Sequence, residues 1–167
     1  LENFILYDHS GGRTAKILAR NHQYLGVNEA VKAYEARKLN NGKLGVFWHT
    51  QGSGKSYSMV FFSQKIRRKF AGSPTIVVLT DREELNSQIS DTFENCGLLG
   101  KIKASKFIAT SGDDLIRKLK GNPSFIFTLI QKFNKKVDEP IIPDHDIIIM
   151  SDEAHRSQYG IFADNMV

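Results

Sequence analysis

The chain has 167 residues, 41% hydrophobic and 25% charged, which is typical of one globular domain or a part of a larger protein. Its formal net charge of +5 and pI of about 9.3 favour polyanionic partners such as nucleic acid or nucleotides. A single cysteine, Cys96, excludes an internal disulfide framework, and no apolar run approaches the roughly 18–20 residues that cross a membrane, so a cytoplasmic protein is expected.

The first part of the chain predicts a helical lead-in. An apolar stretch at residues 4–7 is followed by a polar turn, and residues 13–20 are expected to continue into a helix. From Asn21, apolar residues recur at three- and four-residue spacing, which predicts a longer helix that ends near a Leu-Asn-Asn-Gly sequence. We accordingly divide the chain into a lead-in at residues 1–40 and a larger domain at residues 41–167.

Residues 49–56 have the sequence His-Thr-Gln-Gly-Ser-Gly-Lys-Ser. The apolar residues 44–48 before it predict a buried strand, and residues 57–66 after it predict a helix. Glycines in such a loop let successive backbone N–H groups point inward, and the helix N-terminus adds a partial positive charge. The stretch therefore predicts a phosphate-binding loop.

Each residue type in this loop has its own predicted task. Gly52 and Gly54 let the backbone curl around phosphate. The Lys55 ammonium is predicted to reach the β- and γ-phosphates, and the Ser56 hydroxyl is predicted to bind Mg²⁺. The strict pattern has glycine where this chain has His49. The alternative interpretation is a Gly/Ser turn before an amphipathic helix with a solvated lysine.

The rest of the chain alternates short apolar runs with helical patterns. Strands are predicted at residues 75–80, 106–110, 125–130 and 146–151. Helices are predicted to begin at Asp81, with Glu83 and Glu84 in the first turn, and at Ser111 or Gly112. This alternation predicts an α/β domain with a doubly wound parallel sheet that is covered on both faces.

The last predicted strand is followed by Asp-Glu-Ala-His at residues 152–155. Ligands of parallel sheets bind at the carboxyl ends of the strands, so an acidic pair here favours a metal-dependent site. Asp152 is predicted to hold Mg²⁺ through its water shell, and Glu153 to accept a proton from the water that attacks the γ-phosphate. The alternative is a strand-end turn or a helix cap.

Together the two motifs resemble the motor of superfamily-two helicases. Residues 48–56 (Trp-His-Thr-Gln-Gly-Ser-Gly-Lys-Ser) and 151–160 (Ser-Asp-Glu-Ala-His-Arg-Ser-Gln-Tyr-Gly) are similar to the restriction (R) subunit of type I restriction enzymes. This resemblance covers nearly the whole chain and includes histidine at position 49. It implies the first RecA-like motor lobe of that subunit, a P-loop NTPase with ATP and Mg²⁺ as cofactors. The nucleotide-binding residues that it implies in the loop are Gln51, Gly52, Ser53, Gly54, Lys55 and Ser56.

Two further roles follow from the resemblance near the nucleotide. Residues 19–27 are similar to the family segment in which a glutamine reads the adenine edge, and Gln23 is the candidate because an amide both donates and accepts. The alternative is a solvated helix glutamine. His155 is expected to couple the nucleotide site to neighbouring motifs without being catalytic.

Two shorter matches imply contacts with DNA. Residues 80–82 resemble motif Ia of such motors, in which Arg82 would grip a DNA phosphate. Residues 128–133 resemble the motif Ib region, in which Lys132 would touch the DNA backbone. Each side chain is alternatively a plain surface residue.

The resemblance also implies partners. The R subunit works on double-stranded DNA in a complex with methylation (M) and specificity (S) subunits. We expect its nuclease lobe before residue 1, and its second motor lobe, with an arginine that completes the ATP site, after residue 167. The segment alone is therefore expected to be an incomplete lobe that is poorly stable and inactive.

Other functions stay open at this point. One is another superfamily-two motor, such as a type III restriction subunit or a repair helicase. Another is a nucleotide-gated module that binds ATP and DNA but barely turns over. A P-loop kinase fits less well, because the Asp-Glu-Ala-His sequence does not suit it.

Overall fold

The computed structural model describes residues 2–50, 52–133 and 145–152. Its elements are α1 (Asn21–Glu35), α2 (Lys55–Lys69), α3 (Glu83–Asn95), α4 (Gly112–Lys120), β1 (Ile5–Asp8), β2 (Ala15–Leu18), β3 (Thr75–Thr80), β4 (Phe125–Leu129) and β5 (Ile147–Ser151). Within the described ranges, no helix is long and apolar enough to span a membrane. The chain divides into a first unit (Leu1–Ala71 with Asn95–Leu98) and a second unit (Gly72–Glu94 with Leu99–Val167).

The first unit begins with an antiparallel hairpin. Strand β1 pairs with β2, with Ile5 opposite Leu18. The reversal between the strands uses Gly11 and Gly12 at φ of 64° and 73°, which glycine adopts without strain. The helix predicted over residues 13–20 is therefore wrong, because pairing with β1 satisfies the backbone groups that a helix would otherwise have to satisfy.

Helices α1 and α2 form the body of the first unit and contact each other. Their buried apolar residues are Val27, Val31 and Tyr34 from α1 and Val60, Phe61, Phe62 and Ile66 from α2. Phe4, just before the hairpin, packs its ring 5.9 Å from that of Phe61. The helix predicted from Asn21 is confirmed as α1, although turns replace it after Glu35.

The second unit is organised around β3, the central strand of a parallel sheet with the order β4-β3-β5. Val77 of β3 lies opposite Ile126 on one side and Ile149 on the other. All six residues of β3 are buried, as in a parallel strand with neighbours at both edges. The strands predicted over residues 75–80, 125–130 and 146–151 are confirmed, the last two starting or ending one residue inside the prediction.

Alternate residues of β4 contact different helices. The rings of Phe125 and Phe127 lie 5.4 Å and 5.2 Å from that of Phe93 in α3. Ile126 instead joins a buried cluster that includes Leu115 and Leu119 of α4. Successive side chains of a strand point to opposite faces, so α3 and α4 cover opposite faces of the sheet. The second unit is thus a mixed α/β layer structure with a parallel sheet.

The strand predicted at residues 44–48 is wrong. Residues 43–50 form neither helix nor strand, and Gly45 has a φ of 105°, outside the extended region. Val46 and Trp48 are each 82% exposed, where a buried strand was expected. An apolar run becomes a strand only when neighbouring strands pair with its backbone, and the strand pairs in the described part of the chain leave this run out.

The strand predicted at residues 106–110 shrinks to a single parallel bridge between Ile108 and Phe127. The Phe127 N–H donates to the Phe107 carbonyl at 2.9 Å, and the Ala109 N–H donates to the Phe127 carbonyl at 2.8 Å. A 3₁₀ turn at Ala104–Lys106 ends before the bridge and α4 begins at Gly112 after it, so helical backbone limits the extended segment on both sides.

Replacing Phe93 with Ala is expected to lower the free energy of unfolding by about 3–5 kcal/mol, because its ring is fully buried against two other rings. Urea denaturation of the two proteins measures the difference. The control is Ile102→Ala, at a position that is 53% exposed, for which a change within about 0.5 kcal/mol is expected. Equal losses in the two variants would contradict this packing.

Candidate functional site

The predicted phosphate-binding loop joins helix α2 at Gly54. Gly54 is the residue that caps the start of α2 and has a φ of 85°, and Gly52 has a φ of 77°. Both values lie in the left-handed region that favours glycine. Lys55 and Ser56 begin the first turn of α2, whereas Gln51 lies outside the described residues. The N–H groups that start a helix have no partner within it, so the loop leads directly into a set of free donors.

Two side chains from the first turn of α1 bind carbonyl groups of the loop. His22 Nε2 lies 3.1 Å from the Ser53 carbonyl oxygen, and Gln23 Nε2 donates to the Gly54 carbonyl oxygen at 3.0 Å. Gln23 Oε1 also accepts from the Arg20 N–H at 2.9 Å. A Cβ at position 54 would lie 2.9 Å from Gln23 Nε2, so a larger residue there would shift the Gln23 amide. Gln23 is only 3% exposed, and its adenine contact stays a prediction.

His49, the first residue of the loop, is packed between two rings. Its imidazole lies 4.4 Å from the Phe47 ring and 4.7 Å from the His22 ring. The Phe47 ring fills the space beside Gly26, where there is no room for a Cβ. The pKa of His49 lies below its ordinary value. Burial is the largest cause, and the charges of His22 and Lys55 are the next. The loop therefore has aromatic support at its start.

A hydrogen bond joins the first turn of α2 to the end of β1. The Tyr57 hydroxyl donates to Asp8 Oδ2 at 2.5 Å, and the Ser10 N–H donates to Asp8 Oδ1 at 2.8 Å. The bond to Asp8 raises the pKa of Tyr57 to about 12. Burial alone raises the pKa of Asp8, but the two hydrogen bonds outweigh it and keep that pKa below its ordinary value. Tyr57 follows Lys55 and Ser56, so this bond fixes the turn that carries them.

The loop has the chemistry to hold a nucleotide phosphate. The Ser53 hydroxyl oxygen is buried and has no hydrogen-bond partner among the described residues, so a ligand oxygen would satisfy it. Lys55 supplies a cation at the helix start. The Ser56 hydroxyl is a hard oxygen ligand of the kind that Mg²⁺ prefers. These residues fit a triphosphate with its magnesium ion.

A cleft of about 500 Å³ lies at the start of α1 and is lined by Phe4, Leu18, Ala19, Asn21 and Tyr24. The rings of Phe4 and Tyr24 are 4.7 Å apart.

The predicted magnesium and DNA residues of the second unit follow the three parallel strands. Arg82 follows β3, Lys132 follows β4 and Asp152 follows β5. The carboxyl ends of parallel strands lie at one edge of the sheet, so these three residues share that edge. The Asp152 N–H donates to the Leu79 carbonyl at 2.9 Å, which fixes the backbone where β5 ends. The remainder of the acidic motif, residues 153–155, lies outside the described residues.

The two basic residues at this edge differ in their surroundings. Arg82 is 62% exposed, and its Nε lies 3.6 Å from Asp81 Oδ2. The Lys132 ammonium donates to the Ala109 carbonyl at 2.6 Å. Arg82 is therefore accessible to a DNA phosphate, whereas Lys132 uses one of its three donors inside the protein. Contacts of both with DNA stay predictions.

Sequence reasoning missed the side chains that support the loop. The contact between His22 and Ser53 joins residues 31 positions apart, and that between Asp8 and Tyr57 joins residues 49 apart. Neither pair has a local pattern that connects it. One sequence feature could have indicated the role of His22. It directly precedes Gln23, and both residues lie in the first turn of α1.

Comparison with known proteins identifies the family. Residues 22–167 match the family described as SWI2/SNF2 ATPase. The chain belongs to the SWI2/SNF2 ATPase family. The match includes the loop, the parallel sheet and the acidic motif, so this SWI2/SNF2 ATPase region is expected to use nucleotide.

This SWI2/SNF2 ATPase region is also similar to named restriction enzyme subunits. It is 43% identical to the type I restriction enzyme HindI endonuclease subunit of Haemophilus influenzae, over 94% of this chain and 16% of that protein. It is 31% identical to the type I restriction enzyme SauCOLORF180P endonuclease subunit of Staphylococcus aureus, over 78% of this chain and 14% of that protein. The resemblance to the helicase region of type I R subunits is thus confirmed. The chain spans about one sixth of the length of such relatives.

Acid is expected to destabilise the loop of this SWI2/SNF2 ATPase region through His49. Because the pKa of His49 is lowered in the folded protein, the unfolded chain takes up its proton at higher pH than the folded chain does. The contribution of neutral His49 to the free energy of unfolding is therefore present above about pH 6.5, and it is lost as the pH falls from there through the lowered pKa of the folded protein.

The test compares the free energy of unfolding at pH 7 and pH 5 for the wild type and His49→Gln, where the variant is expected to lose less stability. His9→Gln, at an exposed position, serves as the control. An identical pH dependence in wild type and His49→Gln would rule out this role of His49.

Proposed function

We propose that the chain is the first RecA-like motor lobe of a type I restriction R subunit, which binds and hydrolyses ATP to translocate double-stranded DNA before cleavage. The observation that carries the proposal is the loop itself. Gly52 and Gly54 have positive φ directly before α2, and Lys55 and Ser56 begin that helix. This is the backbone arrangement that a phosphate-binding loop requires.

In this proposal the loop residues bind the triphosphate. The Lys55 ammonium binds β- and γ-phosphate oxygens, and the free N–H groups at the start of α2 bind the β-phosphate region. Ser56 is the loop residue that would hold magnesium, which would neutralise charge on the phosphates. Asp152 is proposed as a magnesium residue from its sequence motif alone. Gln23 would read the adenine edge.

Hydrolysis needs a group that removes a proton from the attacking water. Glu153, which follows Asp152 in the sequence, is the proposed general base. A carboxylate in this role typically contributes about 10²–10⁴ in rate. His155 is proposed to relay the state of the nucleotide to neighbouring motifs. An arginine from a second motor lobe of the same protein would complete the charge compensation.

The DNA and protein partners are proposals for the whole protein. Exposed Arg82, at the carboxyl edge of the sheet, supports a contact with DNA phosphate, and Lys132 at the same edge is the second candidate. The names of the relatives support assembly into a type I restriction enzyme, which we propose to include M and S subunits and a nuclease lobe.

Lys55→Ala is expected to abolish the ATPase activity that double-stranded DNA stimulates, because the phosphates lose their one cationic side chain from the loop. Steady-state phosphate release by the full-length protein that carries this region, with and without DNA, measures the effect. The control is Lys43→Ala, at an exposed position before the loop, which is expected to keep the wild-type rate. A rate that is indifferent to Lys55 would refute the phosphate-loop assignment.

Glu153→Gln is expected to slow hydrolysis by about 10²–10⁴ while ATP affinity stays within about twofold, because only the proton acceptor is removed. Single-turnover hydrolysis and equilibrium ATP binding separate the two quantities. The control is Glu83→Gln, at an exposed position in α3, which is expected to change neither quantity. An unchanged, already negligible rate would favour a nucleotide-gated binding module over a motor.

A further inference from the structure

Helix α1 contacts the phosphate-binding loop through two consecutive side chains. His22 lies 3.1 Å from the Ser53 carbonyl oxygen through its Nε2, and Gln23 donates to the Gly54 carbonyl oxygen at 3.0 Å. The two carbonyls belong to consecutive peptide groups. The first turn of α1 therefore holds two neighbouring peptide planes of the loop at the same time.

The orientation of these planes determines where the loop donors point. In a trans peptide the C=O and the following N–H point in opposite directions, and the described residues contain no cis peptide bond. When the Ser53 carbonyl faces His22, the Gly54 N–H faces away from α1. By the same argument, because the Gly54 carbonyl faces Gln23, the Lys55 N–H points away from α1.

The second of these planes is held from two sides. The Gly54 carbonyl accepts the first backbone bond of α2 from the Ser58 N–H at 3.1 Å, in addition to the bond from Gln23. The first plane differs, because His22 is the side chain that contacts the Ser53 carbonyl. Gly54 has no Cβ to resist rotation of this plane, so the bond to His22 is one of the contacts that can set its orientation.

We propose that His22 is a positioning residue for the nucleotide phosphate, which orients the peptide between Ser53 and Gly54 so that the Gly54 N–H faces the bound phosphate. The inference rests on the proposed function of the loop. The part of the side chain that matters is the Nε2–H donor, since a carbonyl oxygen can only accept. The imidazole ring has a separate contact, with the ring of His49 at 4.7 Å.

Two substitutions separate the donor from the ring. His22→Phe keeps a flat ring against His49 and removes the donor. His22→Gln removes the ring but supplies an amide N–H at about the position of Nε2. The measured quantity is the dissociation constant of ADP with Mg²⁺, by titration calorimetry on the full-length protein that carries this region. Thermal unfolding without nucleotide reports folding separately.

We expect ADP to bind about three- to tenfold more weakly to His22→Phe, which is the effect of losing one hydrogen bond, and within about twofold of wild type to His22→Gln. The control is His9→Phe, an exposed histidine in the same unit, with wild-type affinity expected. A purely structural role would lower the unfolding temperature in both His22 variants and leave ADP affinity equal in the two.

Three results would overturn the inference: wild-type affinity in His22→Phe, equal weakening in both variants, or a folded His22→Gln with lost affinity. If His22→Phe does not fold, the affinity of His22→Gln alone decides. Measurements on Lys55→Ala distinguish a wrong role for His22 from a wrong proposed function of the loop. Wild-type ADP binding and ATPase activity in Lys55→Ala would refute the loop assignment, whereas loss there with unchanged His22→Phe would refute only the role of His22.

Discussion

The left-handed conformation of Gly54 is the constraint on which the first unit depends. It allows α2 to begin at Lys55 immediately after the loop, and it leaves the space through which Gln23 approaches the loop backbone. A residue with a Cβ would be strained at this φ and would push the Gln23 amide out of its present position. One glycine therefore permits both the start of α2 and its attachment to α1.

Other contacts of the first unit converge on the same turn. Tyr57, in the first turn of α2, is bonded to Asp8 at the end of β1, which attaches the hairpin to the helix. Further along α2, Phe61 packs against Phe4 beside the same hairpin. The loop is thus held by α1 through polar bonds, and α2 is held to the start of the chain through the Asp8–Tyr57 hydrogen bond and the Phe4–Phe61 ring contact. Such an arrangement restrains the loop before any ligand binds, which reduces the entropy that binding would otherwise lose.

The sequence predicted the second unit better than the first, and the reason is physical. β-Branched runs such as residues 75–80 are buried on both faces in a parallel sheet, so composition alone identifies them. Helix signals are equally local: Ser111 caps α4, with its hydroxyl accepting from the Asp114 N–H at 3.1 Å. The predictions for residues 13–20 and 44–48 were wrong because the structure of these residues depends on which distant backbone pairs with them. No local pattern encodes that choice.

The candidate site likewise has features that local sequence predicts and features that depend on distant residues. Positive φ at Gly52 and Gly54 is a local property, so the glycine pattern indicated the loop conformation directly. The side chains that hold the loop come from residues 31 and 49 positions away from their partners, and only the folded chain reveals them. The family resemblance identified Gln23 as a candidate residue, but it did not predict the hydrogen bonds of Gln23 with Arg20 and Gly54.

Those bonds bear on how Gln23 can serve a nucleotide. A glutamine amide has two N–H donors and an oxygen with two lone pairs. In the structure one donor is used by the Gly54 carbonyl, and one lone pair by the Arg20 N–H. Among the described residues, one donor and one lone pair of this amide have no further hydrogen bond, and an adenine edge offers one acceptor and one donor. The aromatic cleft lined by Asn21 and Tyr24 opens at the same turn of α1. Because Gln23 is only 3% exposed, a base could reach its amide only if the groups that cover it moved. The same amide binds the Gly54 carbonyl, so under the proposed function such a movement would occur next to the phosphate loop.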